Sequence, residues 1–486
     1  MQPTIDFDNS YGRLPERFFA RLNPKPVPQP KLIKLNEELA AHLQLDIGLL
    51  KSESGVAALA GNQRFEGSDP LAMAYAGQQF GNWVPQLGDG RALLLGEVVD
   101  KDGIRRDIQL KGSGPTPFSR MGDGRAWLGP VLREYIVSEA MQALGVPTTR
   151  ALAAVATGEQ VVREEVLPGA ILTRVSRAHI RVGTFQYFAA RRDEEGLRQL
   201  ADYVIDRLYP ELKDTEDRYL GLLDAVIVAQ AELVAKWMNV GFIHGVMNTD
   251  NVSIAGETID YGPCAFMDEF HPDRVFSSID QHGRYAYSNQ PRICHWNLVQ
   301  FAQAVLPLLG EDEKLAVEQA QVSINAFPGR YELAYQLGFN AKLGLAKVQE
   351  GDTKLGNDLL AMMAENKVDF TLAFHNLGGE KTDAFVELFV DHPAVEDWLG
   401  RWEARGAEEN SSQADQRQLM RDHNPVFIPR NHRIEQAIRA AIEDDFEPFH
   451  RLTRVLQNPF DEQDDAADLM TPPQAKEVVP YTFCGT

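Results

Sequence analysis

The stretch from His244 to Gly262 gathers groups suited to a metal-bound triphosphate. Asn251 and Asp260 offer two hard oxygen ligands, and Mg²⁺ prefers such oxygens plus nucleotide phosphates to an all-protein cage. Asp250, beside that asparagine, is a carboxylate that either accepts a proton or caps a turn. Upstream, Lys111 ends a strand-like segment and Glu134 lies on the helix-like segment that follows. A strand lysine that contacts phosphates and is steadied by a helix glutamate needs this order. Spacing alone leaves Glu139 as a second partner for Lys111. Arg174 and Arg181 are guanidinium groups of the kind that neutralise phosphate bidentately. Gly88-Asp89-Gly90-Arg91 and Asp123-Gly124-Arg125 are short glycine turns, which let backbone N–H groups approach a phosphate closely. Taken singly, such turns are most often hairpins and such arginines surface residues, so the signal lies in their combination.

Elements must position these groups. Ala92–Val99 and Ile104–Leu110 read as two strands joined by the turn Lys101-Asp102-Gly103, a hairpin that ends at Lys111. A Gly-rich loop follows from Gly112 to Arg125. Trp127–Leu144 carries apolar residues at helical spacing and stops at Gly145. Further strands fit Ala151–Ala156, Gln160–Arg163 and Ala170–Arg174. From about 185 the pattern is helical, most clearly over Thr215–Asn239. Val252–Ala255 and Thr258–Asp260 read as a short strand pair. Beyond 290 the chain reads as almost all helix, with polar stretches at 406–416 and 461–468. Residues 1–70 read as an extended lead-in, in which the alternating Pro24, Pro26, Pro28 and Pro30 favour polyproline II and a short helix near Asn36–His42 follows them. No internal repeat is present.

Composition narrows the partners. The chain has 486 residues, a formal net charge of −22 and 44% hydrophobic residues. It offers no long basic stripe, so a nucleic-acid partner is not expected. No apolar run is long enough to span a membrane. Met1–Tyr11 lacks the apolar core of a signal peptide, which leaves the cytoplasm as the expected compartment. Three cysteines, Cys264, Cys294 and Cys484, are too few for a disulfide framework and lack metal-ligand spacing. His271, His282 and His295 also lack such spacing and read as structural, and His244 as a brace for its loop.

A strand-rich region, a helix within it and then a helical region point to an α+β, protein-kinase-like two-lobed fold, with an N-terminal extension and additional C-terminal helices. The expected division is 1–75 for the extension, 76–182 and 183–310 for the two lobes, and 311–486 for the helical C-terminal part. A kinase catalytic loop has His-x-Asp, an Asn five residues past that Asp, and then Asp-Phe-Gly. This chain keeps His244, Asn251 and Asp260-Tyr261-Gly262. Val246, which accepts no proton, stands where the kinase base belongs.

Together with Asn9-Ser10-Tyr11, Gln109 to Gly114, Gln281-His282-Gly283-Arg284-Tyr285 and Asn424 to His432, these stretches resemble the selenoprotein O family over nearly the whole chain. The resemblance implies a pseudokinase fold that binds ATP flipped and transfers AMP to Ser, Thr or Tyr hydroxyls of proteins, releasing pyrophosphate. It implies that Lys111, Arg174 and Arg181 hold phosphates, with Glu134 steadying Lys111. Gly88, Gly90, Arg91, Asp123, Gly124 and Asp260 line the nucleotide. It further implies that Asn251 and Asp260 ligate Mg²⁺ or Mn²⁺ and that Asp250 is the base. UMP transfer, an unusual kinase using Asp250, and a nucleotide-sensing scaffold without chemistry stay open. Some relatives end near a selenocysteine, so Cys484 is a candidate redox thiol, with Cys264 as its possible partner. A monomer is expected.

Overall fold

The computed structural model describes residues 3–482. Strands dominate the first part of the chain and helices the second, an α+β arrangement. The strands are β1 (Phe19–Arg21), β2 (Lys31–Leu35), β3 (Leu71–Met73), β4 (Gly77–Gln79), β5 (Asn82–Val84), β6 (Ala92–Val99), β7 (Arg105–Lys111), β8 (Ala126–Trp127), β9 (Arg150–Val162), β10 (Val166–Ser176), β11 (Phe242–Ile243) and β12 (Ala265–Phe266). One sheet runs β1-β3-β6-β7-β10-β9-β2, with β8 beside β10; β4–β5 and β11–β12 form separate pairs.

Between β2 and β3 come α1 (Glu37–His42), α2 (Ile47–Lys51) and α3 (Glu53–Leu59), and against the sheet lies α4 (Leu128–Ala143). Then follow α5 (Val182–Ala190), α6 (Glu194–Leu208), α7 (Arg218–Asn239), α8 (Gln290–Val305) and α9 (Glu313–Lys342). The remainder is α10 (Asp352–Asn366), α11 (Phe370–Leu377), α12 (Asp383–Val386), α13 (His392–Ala407), α14 (Gln413–His423), α15 (Asn431–Ile442), α16 (Glu447–Val455) and α17 (Ala467–Met470). Among the described residues no helix is long and apolar enough to cross a membrane.

The hairpin reading of 92–110 is borne out as β6–β7, and the helix at 127–144 as α4. Pro130 falls in the first turn of α4, where a missing N–H costs nothing. Apolar residues surround α4 (Leu132, Ile136 and Ala140 are all buried), because it packs on β9 and β10 on one side and on α15 and α16 on the other. Two strand readings need correction. The segments 151–156 and 160–163 form one strand, β9, which pairs along its length with β10. The segments 252–255 and 258–260 do not pair with each other. Gly256 turns the chain between them in the left-handed region, at φ 68. The Ile254 N–H donates to the Ile180 carbonyl and the Thr258 N–H to the Pro147 carbonyl, so each half serves a different neighbour.

The strand register places chemistry directly. Gln109 lies opposite Arg174, and Lys111 opposite Leu172. With a side-chain period of two, Gln109 and Lys111 share a face of β7, and Arg174 meets them from β10.

Side chains tie the later parts of the chain to this region. Arg133 of α4 donates to Asn431 Oδ1 at 2.8 Å and Glu435 Oε1 at 2.6 Å on α15, and to the Cys264 carbonyl at 3.4 Å. Buried Arg430 bonds Asp268 at 2.5 Å and both oxygens of Asp369 at 2.8 and 3.1 Å. Thr482 Oγ1 donates to the Pro263 carbonyl at 2.7 Å, and the Thr482 backbone bridges Ser277. Cys264 and Cys294 are buried; Cys484, named above as a partner for Cys264, lies outside the described residues.

Two carboxylates share the single Arg430 guanidinium. Burial pushes the Asp268 carboxyl up to about 6, against the pull of Arg430 and with Asp369 adding repulsion. A raised carboxyl keeps its proton in the folded chain after the unfolded chain has lost it, so its effect on stability worsens as pH rises from about 4 to about 6. Asp268→Asn is therefore expected to gain on the wild type across that window by roughly 1–3 kcal/mol. Denaturant midpoints of both proteins against pH check this; a constant difference would clear Asp268 of the effect.

Candidate active site

Three cations converge on one carboxylate. Asp260 Oδ1 accepts from Arg174 at 2.6 Å and Lys111 at 3.1 Å, and its Oδ2 accepts from Arg181 at 2.6 Å. Glu134, from α4, takes Lys111 at 2.5 Å and Arg174 at 3.2 Å. Burial alone would raise the Asp260 carboxyl, yet Arg181, Lys111 and Arg174 hold it well below the usual carboxylate range. Three positive groups thus face two acids, an arrangement that favours further negative charge. Asp260 itself sits in the left-handed region at φ 63, an uncommon conformation that Asp and Asn tolerate best. Glu139, the alternative partner for Lys111, is instead taken by Arg150 at 2.9 and 2.8 Å.

A relay of amides fixes Arg174. Gln109 Oε1 accepts from Arg174 Nη2 at 2.5 Å, and Gln109 Nε2 donates to Asp89 at 3.1 Å. Asp89 also accepts from the Met73 N–H, which anchors the Gly88–Arg91 turn to the sheet. Gly88 has φ 93 and faces the Phe118 ring, and Gly124 has φ 68 and faces the Gly114 backbone. A side chain at either would be strained and would collide, so both positions need glycine.

Asp250 occupies a single tight turn, Thr249–Asn251. Its Oδ2 accepts from Gln79 at 3.2 Å, while its Oδ1 is buried without a partner. Burial raises this carboxyl above its ordinary value, with Gln79 and Arg181 opposing. A buried carboxylate oxygen with no donor is the group expected to take up a proton. Arg181 Nη1 also donates to the Asp250 carbonyl at 2.6 Å. Asn251 Nδ2 donates to the Val246 carbonyl at 3.0 Å, which fixes the side-chain amide. His244 braces the loop: Nε2 donates to the Ile259 carbonyl at 3.0 Å and Nδ1 accepts from the Val246 N–H at 3.4 Å. That pairing fits a neutral ring, and burial lowers its pKa accordingly.

One cavity of about 490 Å³ collects these groups. Its walls include every residue expected to meet the nucleotide, the metal or the proton: Gly88, Gly90, Arg91, Lys111, Asp123, Gly124, Glu134, Arg174, Arg181, Asp250, Asn251 and Asp260. Two contributors escaped sequence reasoning. The β4–β5 hairpin clamps the catalytic-type loop: the Gln78 N–H donates to Thr249 Oγ1 at 2.7 Å and the Phe80 N–H to Asn248 Oδ1 at 2.9 Å, beside the Gln79 bond to Asp250. Its strands are three residues each; the only local signal is the Phe80-Gly81 turn. Arg163 bonds both oxygens of Asp123 at 2.9 and 3.1 Å and keeps that carboxyl below its ordinary value. It lies at the end of a strand with no motif around it.

The oxygens of Asn251, Asp260 and Asp250 form a hard donor set, suited to a divalent cation carrying phosphates. The one three-ligand group found among the described residues, His42, Asp100 and Asp102, is elsewhere.

The chain is similar to known proteins throughout. The family model described as protein adenylyltransferase SelO matches residues 2–457. A protein nucleotidyltransferase YdiU of Methylorubrum extorquens is 59% identical over 498 residues, covering 100% of both chains. Proteins of the same name from Bradyrhizobium diazoefficiens and Rhodopseudomonas palustris are 59% and 58% identical, each match covering 99% of both chains.

Asparagine keeps the shape of Asp260 and its tolerance of the left-handed backbone but removes the charge. Asp260→Asn should therefore leave Lys111 and Arg174 with Glu134 alone and Arg181 without its ion-pair partner, and cost roughly 3–5 kcal/mol of stability, the scale of a broken buried ion network. Inorganic tripolyphosphate should restore much of that loss by supplying the missing negative charge. Thermal melts of both proteins with and without tripolyphosphate test this; equal stability of the two proteins would contradict the charge argument.

Proposed function

Since this chain belongs to the SelO family of protein adenylyltransferases, we propose that it transfers AMP from ATP to Ser, Thr or Tyr hydroxyls of proteins and releases pyrophosphate. The observation that carries this reading is the pairing of two features in one cavity. Lys111, Arg174 and Arg181 crowd around Asp260, and a buried, unpartnered oxygen of Asp250 belongs to the same lining. The first suits a polyphosphate, and the second suits a hydroxyl that must lose its proton.

In this reading the fold is a protein-kinase-like, two-lobed one. Its extension is 1–75, its lobes are 76–182 and 183–310, and its helical C-terminal part is 311–486. Lys111, Arg174 and Arg181 neutralise the phosphates, and Glu134 keeps Lys111 and Arg174 in place. Gly88, Gly90, Arg91, Asp123 and Gly124 line the nucleotide with Asp260. Asn251 and Asp260 would hold Mg²⁺ or Mn²⁺, which supplies charge neutralisation to the phosphates when bound. The acceptor oxygen bonds to the α-phosphorus as the α–β phosphoanhydride bond breaks. The electron pair of that bond leaves with pyrophosphate, and the hydroxyl proton passes to Asp250. Val246 at the place of a kinase base agrees with a reaction that does not follow the kinase pattern. Catalysis then rests on positioning and charge stabilisation. The setting is cytoplasmic, without nucleic-acid or membrane partners.

Label position decides the reaction. ATP labelled at the α-phosphate should mark protein, and γ-labelled ATP should not; the reverse result would make the protein a kinase. UTP labelled at the α-phosphate, run in parallel, reports any UMP transfer. Lys111→Ala should abolish labelling. Asp250→Ala should slow it by about 10²–10⁴, the scale of a lost general base. Full activity of Asp250→Ala would remove its role as proton acceptor.

A further inference from the structure

The sequence stretch Gln281-His282-Gly283-Arg284-Tyr285 has no part in the nucleotide cavity described above, yet it leans on the same loop. Tyr285 OH donates to Asn248 Oδ1 at 2.7 Å, the oxygen that also receives the Phe80 N–H of the β4–β5 hairpin. The Phe80 and Tyr285 rings meet edge to face at 5.1 Å. Asn248 stands two positions before Asp250, so this contact joins Arg284 and its neighbours to the proton-accepting loop.

Arg284 is electrically unusual in this setting. Its Nε and Nη2 are buried without a hydrogen-bond acceptor. Among the described residues no carboxylate reaches ion-pair distance from it, although the chain carries 70 acids against 48 lysines and arginines. Its guanidinium lies over Trp296 at 4.8 Å and Tyr285 at 5.7 Å, which fixes the plane of the group, and the Tyr285 hydroxyl feels it as a neighbouring cation. The tip of the β4–β5 hairpin borders it: a Cβ placed on Gly81 would come 3.9 Å from Cζ and Nη2. Buried polar groups in native proteins are nearly always satisfied, and an exception asks for a ligand or a role. Nε and Nη2 are closed off, but Arg284 as a residue is only half-buried, so the remaining edge of the guanidinium at Nη1 is the part open to an acceptor from outside.

We propose that Arg284 is an acidic-residue subsite for the acceptor protein: it binds a carboxylate side chain near the hydroxyl that receives AMP. This rests on the AMP-transfer reading given above. The hairpin supplies the ruler. Gln79 bonds Asp250, and Gly81, two residues on, borders Arg284. An extended acceptor segment advances about 3.3 Å per residue, so an acid roughly two to four positions from the hydroxyl would meet the guanidinium. A planar, forked guanidinium suits that recognition, and stacking on Trp296 holds it ready. The exposed Trp83 on β5 offers apolar surface on the same hairpin.

The test is a positional-scanning peptide library with a fixed Ser, Thr or Tyr, labelled from ATP carrying the label at the α-phosphate. The wild type should favour Asp or Glu over Lys by about tenfold at one of those positions, the ratio expected for one charge-assisted hydrogen bond. Arg284→Gln should lose that preference, and Arg284→Glu should turn it toward Lys and Arg. Equilibrium binding of ATP, measured on the same samples, should not change. A wild type indifferent to acids, or a preference that survives in Arg284→Gln, overturns the proposal, and the wild-type result decides even if a variant fails to fold. Wild-type protein that labels no peptide and no protein, itself included, defeats the AMP-transfer reading and this proposal with it. Labelled peptides without acid preference defeat this proposal alone.

Discussion

The attraction between Asp260 and three cations organises this structure. Each cation arrives from a different place: Lys111 from the end of β7, Arg174 from β10 and Arg181 from the start of α5. Like charges so close repel one another strongly in a dry setting. The carboxylate between them, with Glu134 behind, makes their proximity tolerable. The same balance suits the site to a polyphosphate. The protein holds a concentrated positive charge inside a chain whose net charge is −22. Long-range attraction for anions is therefore absent, and recognition depends on the local cluster alone.

Much of that cluster was legible in the sequence, for a physical reason. The period of two along β7 sends Gln109 and Lys111 to one face, and the helix after it has room for an acid that answers Lys111. The loop with His244, Asn251 and Asp260 carries its chemistry within one short stretch, so spacing alone exposes it. Glu139 shows where spacing stops. It and Glu134 look alike along the helix, and only the approach of Arg150 assigns one of them elsewhere. The strand pair expected at 252–260 failed similarly. The residue types suit strands, but the backbone bonds go to Ile180 and Pro147, which no local pattern reports. Gln79 and Arg163 were hidden because their partners, Asp250 and Asp123, are far away in sequence and their own surroundings carry no periodic signal.

The buried network at Arg430 and the contacts of Arg133 show how the helical second half serves the first. Arg133 neighbours Glu134 on α4, and its guanidinium is held by Asn431 and Glu435 while touching the Cys264 carbonyl. One side chain therefore reads three segments at once: the helix with the glutamate, the chain just after Asp260-Tyr261-Gly262, and α15. The stretch Asn424 to His432, which carried family resemblance without any chemistry of its own, contributes Asn431 to this clasp. Its value lies in geometry, since α4 must stay against the sheet for Glu134 to reach both Lys111 and Arg174.

The clasp also sets an order of events during synthesis. Every group lining the cavity lies before residue 264, while the residues that hold Arg133 of α4 come at 431 and 435. A nascent polypeptide emerging from the ribosome thus exposes its full set of cavity groups long before it owns their buttress. A shortened fragment that retained every cavity residue but ended before Asn431 would keep the sheet under α4 and lose the Arg133 contacts on its other side.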